Sequence, residues 1–140
     1  MIRGVHLLLN SVNPQADRAF FRDVLNFPHL DAGEGWLIFA LPPAEMGIHP
    51  AEKDLTQPHA GQNLAAATVY LMCDHLRETL DLLAAKGVEH TEIQDAGWGV
   101  ASSIRLPGGA HLGLYEPHHA LATSLTEVRS QGQVSPPSLG

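Results

Sequence analysis

The sequence predicts an α+β protein made of two tandem βαβββ modules, joined into a curved mixed sheet with its helices outside. Three observations carry this reading. Each half reads as strand, helix and then further strands. Each helix has a single apolar stripe, enough to cover one face of a sheet. The landmarks of the first half also return in the same order in the second, at an offset that only grows, and grows at turns.

In chain order, Val5–Asn10 (VHLLLN) is a short apolar run read as a strand. Asn13-Pro14 then supplies an N-cap and a proline at the first helical position. The helix is expected to about Leu25, with Ala16, Phe20 and Val24 on one face and Asn26 at its left-handed stop. A weaker strand is read at Phe27–Asp31. Gly33-Glu34-Gly35 turns the chain into the strand Trp36–Leu41, and Pro42-Pro43 turns it toward another at Met46–His49. Ala51–Asn63 is polar and lacks periodicity, and is read as a linker.

The pattern then repeats. Ala67–Cys73 is a strand, Asp74 the expected N-cap, and Leu76, Leu80, Leu83 and Ala84 form a helical stripe that stops at Lys86-Gly87. Val88–Ile93 is a candidate strand. Val100–Leu106 and His111–Glu116 are strands around the turn Pro107-Gly108-Gly109. Asn13 and Asp74 lie 61 residues apart, as do Asn26 and Gly87. Trp36 and Trp98 lie 62 apart, Leu41 and Leu106 65, and His49 and Glu116 67. Five matches in order make a duplication. The expected division is 1–50 for the first module, 51–63 for the linker, 64–119 for the second module and 120–140 for a flexible tail, with a helical turn at Ser124–Arg129.

Composition narrows the function. Eight Lys plus Arg against fifteen Asp plus Glu give a net charge of −7, and the cations are scattered, so neither nucleic acid nor an anionic membrane is the expected partner. No apolar run is long enough to span a bilayer, and no secretion signal follows Met1. The single cysteine, Cys73, suits a reducing cytoplasm and reads as a small strand hydrophobe rather than a reactive thiol. A small molecule is the expected ligand. Trp36, Trp98, Tyr70 and Arg105 are placed either in its pocket or in the core. His59, His111, His118 and His119 are spare imidazoles.

The stretch His6 through Phe21 (HLLLNSVNPQADRAFF), then Val24-Leu25-Asn26-Phe27, and the ending Leu114-Tyr115-Glu116-Pro117 resemble the opening strand, helix stop and closing strand of the vicinal oxygen chelate superfamily. This is the glyoxalase, bleomycin-resistance and extradiol-dioxygenase group, and the resemblance covers about Ile2–His119. It implies a concave ligand face, a homodimer and, in metal-using members, ligands from the first and last strand of each module. Carried over, those positions are His6, His49, Ala67 and Glu116. Two imidazoles and a carboxylate suit Fe, Mn, Ni or Zn, with Glu116 also the candidate catalytic group and no organic cofactor implied. By strand alternation Leu8 and Asn10 share the His6 face, and Val69 and Leu71 share that of Ala67. Ala67 departs from the family's metal pattern. Two functions are therefore expected: a metal-dependent lyase, isomerase or dioxygenase acting on a small oxygenated substrate, or a metal-free protein that sequesters a small molecule, as bleomycin-resistance proteins do. A weaker third is an interaction module with a vestigial cavity.

Overall fold

The second half supplies nearly all of the core. In the computed structural model, which describes residues 1–127, strand β5 (Tyr70–Met72) leads into helix α2 (Leu76–Ala85), followed by β6 (Gln94–Asp95), β7 (Gly99–Arg105) and β8 (His111–Pro117). These strands form one sheet in the order β5-β8-β7-β6, with β5 parallel to β8 and the other pairs antiparallel. Leu76, Leu80 and Leu83 of α2 are buried against Ile104, Leu106, Leu112 and Leu114 of the sheet and its turn. The helix stops where its stripe ends, at Lys86 and a left-handed Gly87 with φ of +82°.

The first half leans on that core through helix α1 (Pro14–Asp23). Asn13 Oδ1 accepts from the Ala16 amide at 3.2 Å, Pro14 opens the helix, and Asn26 takes the left-handed stop at φ +57°. Phe20 joins the cluster of α2 leucines. Lys86 Nζ donates to the Val24 carbonyl at 3.2 Å, placing a cation at the C-terminal end of α1. Beside α1, β1 (His29–Asp31) and β2 (Leu37–Phe39) pair antiparallel, with Phe21 against Phe27 and Phe39.

The duplication reaches into the turns. Asp31 Oδ1 accepts from the Gly33 amide at 2.7 Å before β2, and Asp95 Oδ1 accepts from the Gly97 amide at 2.9 Å before β7. The β1–β2 pair is thus the counterpart of β6–β7.

Several expectations change. Val5–Asn10 and Met46–His49 are not strands, and no backbone ladder forms there among the described residues. Their apolar runs satisfy the pattern of a strand, but a strand exists only with a partner, and residues 1–10 are exposed throughout. The expected linker holds most of a hairpin, β3 (Thr56–His59) with β4 (Gln62–Ala65). It turns at Ala60-Gly61, both at positive φ, the geometry that two-residue hairpins use. Its faces are largely exposed, so no apolar alternation marks it in the sequence. Val88–Ile93 gives one bridge, His90 to Ile104, and the strand follows it at β6. The N-cap position of α2 is His75, without a side-chain cap, rather than Asp74. A 3-10 helix covers Ala122–Glu127; the rest of the expected tail, 128–140, lies outside the described residues.

Candidate functional site

Strand alternation gives the four-stranded sheet two unlike faces. Val100, Ser102 and Ile104 of β7 pair with Glu116, Leu114 and Leu112 of β8, and this face lies under the helices. Gly99, Ala101, Ser103 and Arg105 pair with Pro117, Tyr115, Gly113 and His111 on the opposite, open face. Tyr70 and Met72 of β5 join that open face beside Gly113 and Tyr115, whereas Leu71 packs with Val69 and Cys73 against the core.

This parity relocates the residues singled out in the sequence. Val69 and Leu71, expected to line the ligand face with Ala67, belong to the helix side. Glu116 also belongs there. Its Oε1 accepts from the Leu76 amide at 3.1 Å, capping α2 from 40 residues away, and its Oε2 meets His118 Nε2 at 3.2 Å. His6 is exposed, and His49 is exposed with its Nδ1 2.7 Å from the Pro50 carbonyl. Among the described residues no three His, Cys, Asp or Glu side chains converge, so one chain does not bring His6, His49 and Glu116 together. As placed, these residues do not fit a divalent ion.

The Leu76 amide, and then His118, hold the Glu116 carboxyl below its ordinary range. A carboxyl lowered on folding stabilises the protein above its unfolded pKa, and this contribution disappears as pH falls through the lowered folded value. Glu116→Ala is therefore expected to lower the melting temperature at neutral pH. The gap to the parent protein should narrow on acidification; a gap unchanged into strong acid would remove this role.

The open face carries aromatic side chains at one end. Tyr70, Trp98 and Tyr115 meet edge to face, with centroids 5.8 Å (Tyr70–Trp98), 5.5 Å (Tyr70–Tyr115) and 4.9 Å (Trp98–Tyr115) apart. Tyr70 lies so close over Gly113 that a Cβ there would overlap its ring, so only glycine lets the ring down onto the sheet. His119 stacks on Tyr115 and approaches its hydroxyl at 3.2 Å. Glu45, brought from the first half, sits 3.8 Å from His119 and accepts from the Ala122 amide at 2.7 Å. Burial, then the Glu45 charge, pushes the Tyr115 hydroxyl above its ordinary pKa, which keeps it neutral. Further along the face, Ser103 Oγ and His111 Nδ1 are 3.2 Å apart, with Arg105 opposite His111.

Sequence reasoning placed Tyr70, Trp98 and Arg105 in the pocket or the core, and His111 among spare imidazoles. It did not single out Gly113, Ser103 or Tyr115. A glycine between Leu112 and Leu114 was the available signal, because glycine inside a strand marks a close approach. Burial pushes the Cys73 thiol up, consistent with its reading as a small hydrophobe.

Comparison with known proteins accords with this architecture. No curated protein matches the sequence. Among solved structures, TnmS3, an antibiotic binding protein from Streptomyces sp. CB03234, superposes with a TM-score of 0.51 at 19% identity, covering 76% of this chain and 88% of that one. A lactoylglutathione lyase from Agrobacterium tumefaciens gives 0.48 at 17% identity, covering 72% and 83%. An integron cassette protein from the mobile metagenome of V. cholerae gives 0.48 at 17%, covering 83% and 98%. At 19% identity the likeness to TnmS3 concerns the fold alone. The family profile described as Glyoxalase/Bleomycin resistance protein/Dioxygenase superfamily matches residues 3–121, and the chain belongs to that superfamily.

Proposed function

We propose that this protein binds and sequesters a small aromatic compound on the open face of its four-stranded sheet, without a metal, in the cytoplasm. The observation that carries the reading is the Tyr70–Trp98–Tyr115 cluster, with Tyr70 43% exposed at its edge. A half-exposed ring backed by two others is a rigid stacking platform, and holding it costs little side-chain entropy on binding. Small-molecule sites are mostly apolar with a few placed polar groups, and this face has that make-up. The antibiotic-binding neighbour of the same fold is compatible with such a role.

The partner in this reading is a second copy of the chain. Val5, Leu7, Leu8 and Leu9 are exposed in a segment that pairs with nothing among the described residues, and β5 is an edge strand of its sheet. Unpaired apolar segments and free strand edges are what strand addition between chains consumes. Light scattering is expected to return about twice the 15.1 kDa chain mass; a monomer across the working concentration range would remove this part of the reading.

Calorimetric titration tests the binding function, with 2-naphthamide as the reference ligand and each titration run with and without chelator. The parent protein is expected to bind it, and Tyr70→Ala to bind roughly fivefold to tenfold more weakly. No binding, or binding lost on chelation, would overturn the proposal. The competing proposal is a metal-dependent lyase, isomerase or dioxygenase with His6, His49 and Glu116 as ligands and Glu116 as the catalytic group. Stoichiometric metal in the purified protein, lost on changing any one of the three to alanine, would replace the binding reading with that one.

A further inference from the structure

The polar end of the open face points to the ligand's chemistry. Arg105 and His111 stand opposite each other on β7 and β8, and Ser103, one step inward on the same face, places its Oγ 3.2 Å from His111 Nδ1. Arg105 is exposed, and among the described residues its guanidinium has no carboxylate partner. The exposed Arg105 thus shares a register position with His111, whose imidazole meets the Ser103 hydroxyl, so three polar donors belong to this end of the face. Guanidinium also matches a carboxylate in a bidentate fork.

Spacing links this end to the rings. Tyr70 lies over Gly113, two residues along β8 from His111, which is roughly 7 Å at the rise of a strand. A ligand that stacks on Tyr70 therefore reaches the Arg105–His111–Ser103 set across about one fused ring system. The protein has a net charge of −7, so an anion is drawn to this face only by local donors, which makes the set selective rather than generally attractive.

We propose that the open face recognises a planar aromatic acid, its ring over Tyr70 and its carboxylate at Arg105, His111 and Ser103. This rests on the small-molecule binding reading above and names the ligand class for the same face. A neutral aromatic shares the ring platform, and the acid adds a charge match to the guanidinium.

The test compares 2-naphthoate with the neutral 2-naphthamide by calorimetry on the parent protein, Arg105→Gln and Tyr70→Ala. The parent is expected to prefer the acid by roughly threefold to tenfold at low salt, with the preference shrinking as salt is raised. Arg105→Gln is expected to abolish the preference, acid affinity falling more than amide affinity; Tyr70→Ala is expected to weaken both ligands and keep the preference. Because Arg105 is exposed, its replacement leaves the core intact, and an unaltered melting temperature confirms that. Equal affinity of the parent for acid and amide, or a preference that survives Arg105→Gln, overturns the acid proposal and leaves ring binding standing. Failure of both ligands to bind overturns the two readings together.

Discussion

Leu80→Ala is expected to destabilise the protein by about 2–5 kcal/mol and to lower its melting temperature by on the order of 10 °C. Leu80 is 0% exposed at the centre of the cluster formed by α2, Ile104, Leu112 and Leu114. Removing its branch there leaves a cavity that the strands on one side and the helix backbone on the other cannot close. The loss is a large part of the 5–15 kcal/mol that holds a typical domain. Leu82, two positions along the same helix, is 70% exposed, and Leu82→Ala is expected to change stability by less than about 0.5 kcal/mol. Urea denaturation of the two variants checks this. Similar midpoints would mean that α2 does not present its Leu76–Leu80–Leu83 stripe to the sheet.

That helix was legible in the sequence because every signal for it is local. Its stripe repeats within ten residues, and its stop is a glycine next to the last turn. The same holds for α1, whose cap, opening proline and left-handed asparagine are all within the segment. Apart from the exposed β3–β4 hairpin, what sequence reasoning missed depends on a partner far along the chain. Val5–Asn10 has the composition of a strand, but the counterpart of the β5–β8 pairing does not form in the first half. The α2 cap was sought at Asp74, beside the helix, and is supplied instead by Glu116, a carboxylate that no local pattern connects to Leu76.

The candidate site shows how a single step of register decides which residues share a face. Side chains on a strand alternate, so moving a site residue by one position carries it to the other face. Leu112 and Leu114 are apolar and core-facing, and Glu116 shares their parity. Read from those two leucines, Glu116 was bound to lie under the helices, and Gly113 and Tyr115 to lie on the open face. The carried-over ligand set instead took Glu116 from the end of the last strand and Ala67 from the first strand of the second module. Ala67 has the parity of the core-packed Val69 and Leu71. The duplication does not depend on that parity, because caps, stops and turns carry it. The ligand set does, because it rests on the parity of individual residues.

Asp17→Ala is expected to loosen α1 from the second half of the chain without unfolding that half. Asp17 is 9% exposed on α1; its Oδ1 accepts from the Gly108 amide at 2.7 Å, and its Oδ2 accepts from the Ser11 hydroxyl at 2.5 Å. Gly108 lies in the β7–β8 turn, 91 residues away, and a Cβ there would come within 2.5 Å of Asp17 Oδ2 and 3.0 Å of Ser11 Oγ. The turn thus approaches α1 closely enough to need glycine, and the carboxylate is the polar tie that holds it. Hydrogen bonds to a charged group contribute about 1.5–3 kcal/mol each way the accounting is done, so losing this one is costly. Its cost should nevertheless stay local. Among the described residues, Phe20 is the one buried apolar side chain that precedes β5, so α1 adds little to a core that α2 and the sheet otherwise complete. Hydrogen exchange on Asp17→Ala is therefore expected to show faster exchange in α1 with protection kept in α2, β7 and β8. Gly108→Ala should reproduce the pattern, and combining the two should cost less than the sum of the separate effects, since both break one contact. Equal loss of protection in α1 and α2 would instead mean that the duplicated halves fold as a single cooperative unit.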